Sequence, residues 1–191
     1  MAGINHIYQI WIEDPDPPSE TLKSYMLSYI GKGLPYRLFS TSNYFEDDPR
    51  VEWIDVNTII QEILFIYCFI EKPFNLMTPQ TKSDVIRAYL ATKYPDGLYA
   101  DCDMELLIWP TLSTSYSYFG RESELIDDAV FADNGDAQIM SSWLHTILIY
   151  LIHIDYTLPF NQIFKMINSF KIGKDYSVFD ASCFKHNRSV L

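Results

Sequence analysis

The stretch Pro95-Asp96-Gly97-Leu98-Tyr99-Ala100-Asp101-Cys102-Asp103 decides the fold. Pro-Asp-Gly is a turn signal, so a strand is expected over Leu98 to Asp103. In a strand, alternate side chains share a face. Tyr99, Asp101 and Asp103 then point one way, and Leu98, Ala100 and Cys102 the other. Two carboxylates converge at the carboxyl end of a strand that is apolar on its other face. Ligands of open α/β sheets bind outside such strand ends. Carboxylates this close repel each other. A divalent cation removes that cost and suits hard oxygen ligands. Spacing alone is equally compatible with an ordinary acidic strand end. Asp14-Pro15-Asp16 matches the same short pattern, in a proline-rich loop with no strand to hold it.

Working outward, strands alternate with helices. His6 to Ile12 reads as a first strand, ended by Asp14-Pro15-Asp16-Pro17-Pro18. Ser19 looks like an N-cap for a helix to about Ile30, stopped by Gly31 and Gly33. Pro35 to Thr41 and Val51 to Val56 read as strands. Asn57 or Thr58 is expected to cap an apolar helix reaching Phe69. Thr78-Pro79 opens a helix that continues through Lys93, with proline in the tolerated first position. Further expectations are a strand at Ala129 to Ala132, a helix from Asp136 to about Asp155, a short helix from Pro159 to Phe170, and a last strand from Val178 to Phe184. This alternation predicts an α/β fold, a single domain over residues 1–191 with a mainly parallel central sheet flanked by helices.

Composition narrows the function. The formal net charge is −11, with 14 Lys and Arg and no basic run, which argues against nucleic-acid binding. A diphosphate is still accessible to an acidic protein when a cation supplies the charge. The aromatic content, 14 Tyr, 12 Phe and 4 Trp, suits both a core and a sugar or base pocket. Cys68, Cys102 and Cys183 have no zinc or disulfide spacing, which suggests a reducing compartment. Cys68 and Cys102 read as small buried hydrophobes. The start lacks a basic n-region and meets Glu13 early, so no secretory signal is expected. The apolar runs Ile59 to Ile70 and Trp143 to Ile154 read as buried core helices rather than membrane spans.

The segment Thr81-Lys82-Ser83-Asp84-Val85-Ile86-Arg87-Ala88-Tyr89-Leu90 leads through Tyr94-Pro95-Asp96-Gly97 into the Asp101-Cys102-Asp103 block. It resembles the sugar-transferase signature in which a Ser-Asp-x-x-Arg helix precedes Gly-x-Tyr-x-Asp-x-Asp. His6-Ile7-Tyr8-Gln9-Ile10-Trp11-Ile12 resembles the first strand of the same family. That family holds capsule and outer-chain sugar transferases, and bacterial toxins and effectors that glycosylate host proteins. The resemblance covers the first half of the chain and fades beyond it. Two departures are Asp96, where the family has glycine, and Ala100, where it has a larger residue.

The resemblance implies a GT-A fold, a UDP-sugar donor, Mn2+ or Mg2+ as cofactor, a protein or glycan acceptor, and a retaining outcome. It implies that Gln9, Ile10 and Trp11 lie near the nucleotide base, with Asp84, Arg87 and Tyr99 at the donor site. Asp101 would meet the ribose or sugar, and Asp103 the metal. Asn187 and Ser189 match a tail pair that completes the metal shell in effector relatives, although the tryptophan that follows in them is missing. Asp133 and Asn134 match an acidic-Asn pair facing the acceptor. The competing readings are a frayed terminus for the tail, a helix cap for Asp133, and a surface ion pair for Asp84 and Arg87, which share a helix face. His145 and His153 read as core. Cys102, between carboxylates, is a poor nucleophile. The implied activity is hexosyl or N-acetylhexosaminyl transfer in a cytosol, that of a host if the protein is an effector. A non-catalytic nucleotide-sugar binder and a nucleotide-sugar hydrolase are the alternatives.

Overall fold

The structure is a computed structural model that describes residues 4–12, 17–110, 117–122, 125–132, 137–153, 176–178 and 183–186. Its centre is four parallel strands: β1 (His6–Trp11), β2 (Tyr36–Ser40), β3 (Val51–Asp55) and β4 (Gly97–Ala100). β5 (Met104–Leu106) pairs apart from them. β6 (Ser117–Glu122), β7 (Leu125–Ala132) and β8 (Tyr176–Val178) extend the main sheet, whose order is β3-β2-β1-β4-β7-β6-β8. β7 runs antiparallel to β4, with Leu98 opposite Ala132. β9 (Phe184–His186) pairs antiparallel with β5 in a separate two-stranded sheet. The mixed α/β architecture with a parallel four-strand centre is the one expected.

Two-residue alternation splits the core into two layers. Tyr8, Ile10, Phe39 and Tyr99 face α2 (Val56–Ile66), α4 (Pro79–Lys93) and α5 (Ala137–His153). Ile7, Leu38, Leu98 and Ala100 face α1 (Glu20–Leu27), where Met26 packs on them. A fully buried Ile, Leu, Phe or Met side chain among these contributes about 1.5–3 kcal/mol of transfer free energy. α4 packs on β1 and β4 and against the helices α2 and α5, so its second half, Val85 to Ala91, is buried all round. β4 begins where Asp96 adopts a φ of 67° and Gly97 lies against Tyr8 and His6. A Cβ on Gly97 would stand 2.6 Å from the Tyr8 ring, so this approach requires glycine.

Several elements differ from expectation. β4 ends at Ala100, a turn follows through Asp103, and the chain re-enters a strand at Met104. The strict alternation expected from Leu98 to Asp103 therefore stops short of the carboxylates. α1 ends at Leu27, with Ser28 as its C-cap, before Gly31 and Gly33 take φ of 83°. α2 is capped by Asp55, whose carboxylate accepts from the Asn57 N–H, and not by Asn57 or Thr58. It ends at Ile66, and a short α3 (Glu71–Leu76) follows a 3-10 turn. Phe65, Ile66, Phe69 and Cys68 are exposed, as are Ile149, Ile152 and His145 on α5. These two apolar runs bury one face rather than all of it. Of the expected last strand, Val178 ends β8 and Phe184 begins β9, and residues 179–182 lie outside the described residues. The expected helix from Pro159 to Phe170 lies outside the described residues, as does Asp136. Among the described residues no helix is long and apolar enough to cross a membrane.

Candidate functional site

The carboxyl ends of β1 and β4 and the amino-terminal half of α4 enclose one cavity of about 280 Å³. Ile10, Trp11 and Ile12 line it from β1, and Asp101, Cys102 and Asp103 from the turn after β4. Pro79, Gln80, Ser83, Asp84 and Arg87 line it from α4. The last four stand at i, i+3, i+4 and i+7 and so form one polar stripe on the helix. Thr78 caps α4, its hydroxyl accepting from the Thr81 N–H. The helix therefore presents its positive end at the cavity wall.

Arg87 is buried between two carboxylates. It pairs with Asp84 one helical turn away and with Asp101 at 3.4 Å. Its guanidinium lies 5.2 Å from the centre of the Tyr99 ring. Tyr99 is fixed in turn by the stacked Phe131 ring, 4.9 Å away, and its hydroxyl donates to the Asp101 carboxylate. The surface-pair reading of Asp84 and Arg87 does not hold, because Arg87 is buried and Asp84 is half-buried on the cavity wall. Burial pushes the Asp101 carboxyl up to about 6. Arg87 and the Tyr99 hydroxyl pull it down, and Asp103 and Asp84 push it further up. Burial also raises Asp84, with Arg87 opposing. Burial, then Asp101 and Asp103, hold the Cys102 thiol well above its ordinary value, so it stays a thiol and donates to the Ile10 carbonyl at 3.2 Å. Asp103 is 7% exposed and lies on the cavity wall.

The structure thus brings Ile10, Trp11, Asp84, Arg87, Asp101 and Asp103 together. Gln9 and Tyr99 stand behind the wall and not on it: both are buried, and each holds Asp101, Gln9 by its carbonyl and Tyr99 by its carboxylate. Asp133, Asn134, Asn187 and Ser189 lie outside the described residues. β9 ends at His186, opposite Met104, so the chain leaves that strand next to Asp103. Pro79, Gln80 and Ser83 were missed from sequence, although the polar stripe at helical spacing carried the signal. Among the described residues no group of three His, Cys, Asp or Glu side chains stands ready to hold a metal.

No protein-family model matches the chain, and none of the curated proteins does. Solved structures do. One described as the PaToxG glycosyltransferase superposes with a TM-score of 0.53 at 16% identity, over 76% of this chain and 60% of that one. A cysteine-to-serine mutant of a transferase superposes with a TM-score of 0.51 at 10% identity, over 95% of this chain and 93% of that one. At these identities the likeness is one of fold, and the chain shares its fold with solved transferase structures.

Proposed function

We propose that the protein is a metal-dependent glycosyltransferase that moves a hexosyl or N-acetylhexosaminyl group from a UDP-sugar to a protein or glycan acceptor, with retention. The observation that carries this reading is the convergence of Trp11, Asp84, Arg87, Asp101 and Asp103 on one cavity. They come from the three sequence blocks that resemble the sugar-transferase signature. The 191 residues act as one domain, and Cys68, Cys102 and Cys183, none of them in a disulfide, support a reducing cytosol.

Among the described residues the wall carries Asp84, Asp101 and Asp103 against one Arg87, an excess of negative charge that repels a diphosphate. Mg2+ and Mn2+ fit such a wall, since Mg2+-type sites use one or two carboxylates and complete their shell with substrate phosphates. Asp103 would hold the ion, joined by Asn187 and Ser189 from the tail. The departure of the chain from β9 beside Met104 supports that closure. When bound, the ion stabilises the charge that collects on the leaving diphosphate.

The chain's own residues do the rest. Trp11 offers an apolar ring to the base, and the amino end of α4 favours the phosphates. Arg87, locked between Asp84 and Asp101, keeps both carboxylates turned toward the sugar and ribose hydroxyls. Asp133 serves as the acceptor's base, with Asn134 beside it. No covalent nucleophile is evident, and Cys102 is held as a thiol. Front-face attack by the acceptor fits the retaining outcome. The test is release of UDP from a panel of UDP-sugars with Mn2+ and acceptor. Release that requires Mn2+ and rises with acceptor supports transfer, and release indifferent to acceptor indicates hydrolysis.

A further inference from the structure

The turn that carries Asp101 and Asp103 is outside strand pairing, since β4 stops at Ala100 and β5 starts at Met104. Its own backbone supplies one bond, Met104 N–H to the Asp101 carbonyl at 3.0 Å. Beside the side-chain bonds of Asp101 and Cys102, a further hold on that backbone carbonyl comes from behind. The Gln9 amide nitrogen donates to the same Asp101 carbonyl at 3.1 Å. The Tyr36 hydroxyl donates to the Gln9 amide oxygen at 2.6 Å. Gln9 is 0% exposed and Tyr36 1%, and neither lines the cavity. With its oxygen and its nitrogen both engaged, the Gln9 amide has one orientation. A buried amide and hydroxyl cost free energy unless they are bonded to one another or to a third group, and here the third group is the carboxylate-bearing turn. Burial keeps Tyr36 a neutral donor.

We propose that Tyr36 and Gln9 act in series as positioning residues that set the height of the Asp101–Asp103 turn in the cavity. Their effect on turnover rests on the glycosyltransferase reading. Their effect on the turn does not.

Two readouts separate the two. The first is kinetic. Tyr36→Phe removes one hydroxyl that does not line the cavity. It lowers kcat for UDP release about tenfold with acceptor KM within about twofold, and adds no further loss in a Gln9→Met background. The second is chemical and needs no reaction. Cys102 sits in the turn, and Cys183 is buried outside it. In Cys68→Ser protein, Tyr36→Phe speeds alkylation of Cys102 by N-ethylmaleimide about tenfold, read by peptide mass spectrometry, while Cys183 keeps its parental rate. If Gln9→Met does not fold, Tyr36→Phe alone with both readouts decides. Parental alkylation of Cys102, or equal acceleration at both cysteines, overturns the proposal. So does selective loosening of Cys102 with parental kcat in an active enzyme. Selective loosening of Cys102 in a protein whose parent never releases UDP supports the relay and sinks the enzymatic reading instead.

Discussion

Asp101 and Asp103 are two residues apart and stand in different company. Asp101 accepts from the Tyr99 hydroxyl and pairs with Arg87, so part of its acceptor capacity is already used. Asp103, 7% exposed, lines the same cavity from the end of the turn. Replacing Asp103 with Ala is expected to cut UDP release at least about a hundredfold, with melting temperature within a few degrees of the parent. Parental release would remove it from the site, and loss of folding would assign it a structural role. His6 makes a different prediction, at the opposite end of β1. It stacks on Tyr8 at 5.7 Å and meets Tyr94 edge-on, and its buried Nε2 has no hydrogen-bond partner among the described residues. Burial, and then Arg37, hold its pKa below the ordinary 6.5. The unfolded chain takes up this proton as pH falls through 6.5 and the native state resists it. The stability concerned is present above that pH and is lost below it. His6→Phe should lose less melting temperature than the parent between pH 7 and pH 5. Identical losses would contradict this account of the imidazole. The residues legible from sequence, Trp11, Asp84, Arg87, Asp101 and Asp103, are those carried by short motifs. Gln9 and Tyr99, expected at the base and the donor site, stand behind the cavity wall and bond to its turn, a placement that spacing does not reveal because the turn interrupts a strand.

Elements were legible where local chemistry sets them. Ser19, Thr78 and Pro79 marked the starts of α1 and α4, because caps and a first-turn proline act within four residues. The start of α2 was misplaced by two or three positions, since Asp55, Asn57 and Thr58 all have capping side chains and only the chain's exit from β3 selects among them. Asp55→Ala should therefore cost about 1 kcal/mol in urea unfolding, and Thr58→Ala less than about 0.5 kcal/mol. The reverse order would restore the sequence-based cap. β5, β6 and β9 were not anticipated. Strands of three to six residues carry few side chains to show a period, and their pairing is set by partners far along the chain. The β5–β9 pair matters for the tail. Truncation after His186 preserves β9, so it should lower UDP affinity and turnover together while the melting temperature holds. Full activity of the truncated protein would show that residues 187–191 take no part.

At the scale of the whole molecule, a parallel four-strand centre places its cavity where strand ends, turn and helix start meet, as open α/β sheets do. That much followed from strand–helix alternation, and the likeness to solved transferase structures is a likeness of this architecture. The net charge of −11 and the three carboxylates that the described residues place on the cavity wall bear on one question. A diphosphate is repelled by such a surface unless a cation joins them. The most direct measurement is titration calorimetry of UDP into the purified protein, with Mn2+ and again in excess EDTA. The account predicts saturable binding with Mn2+ that weakens at least about tenfold in EDTA, a loss of about 1.4 kcal/mol. Undiminished affinity in EDTA, or no binding of UDP with Mn2+ present, would contradict it.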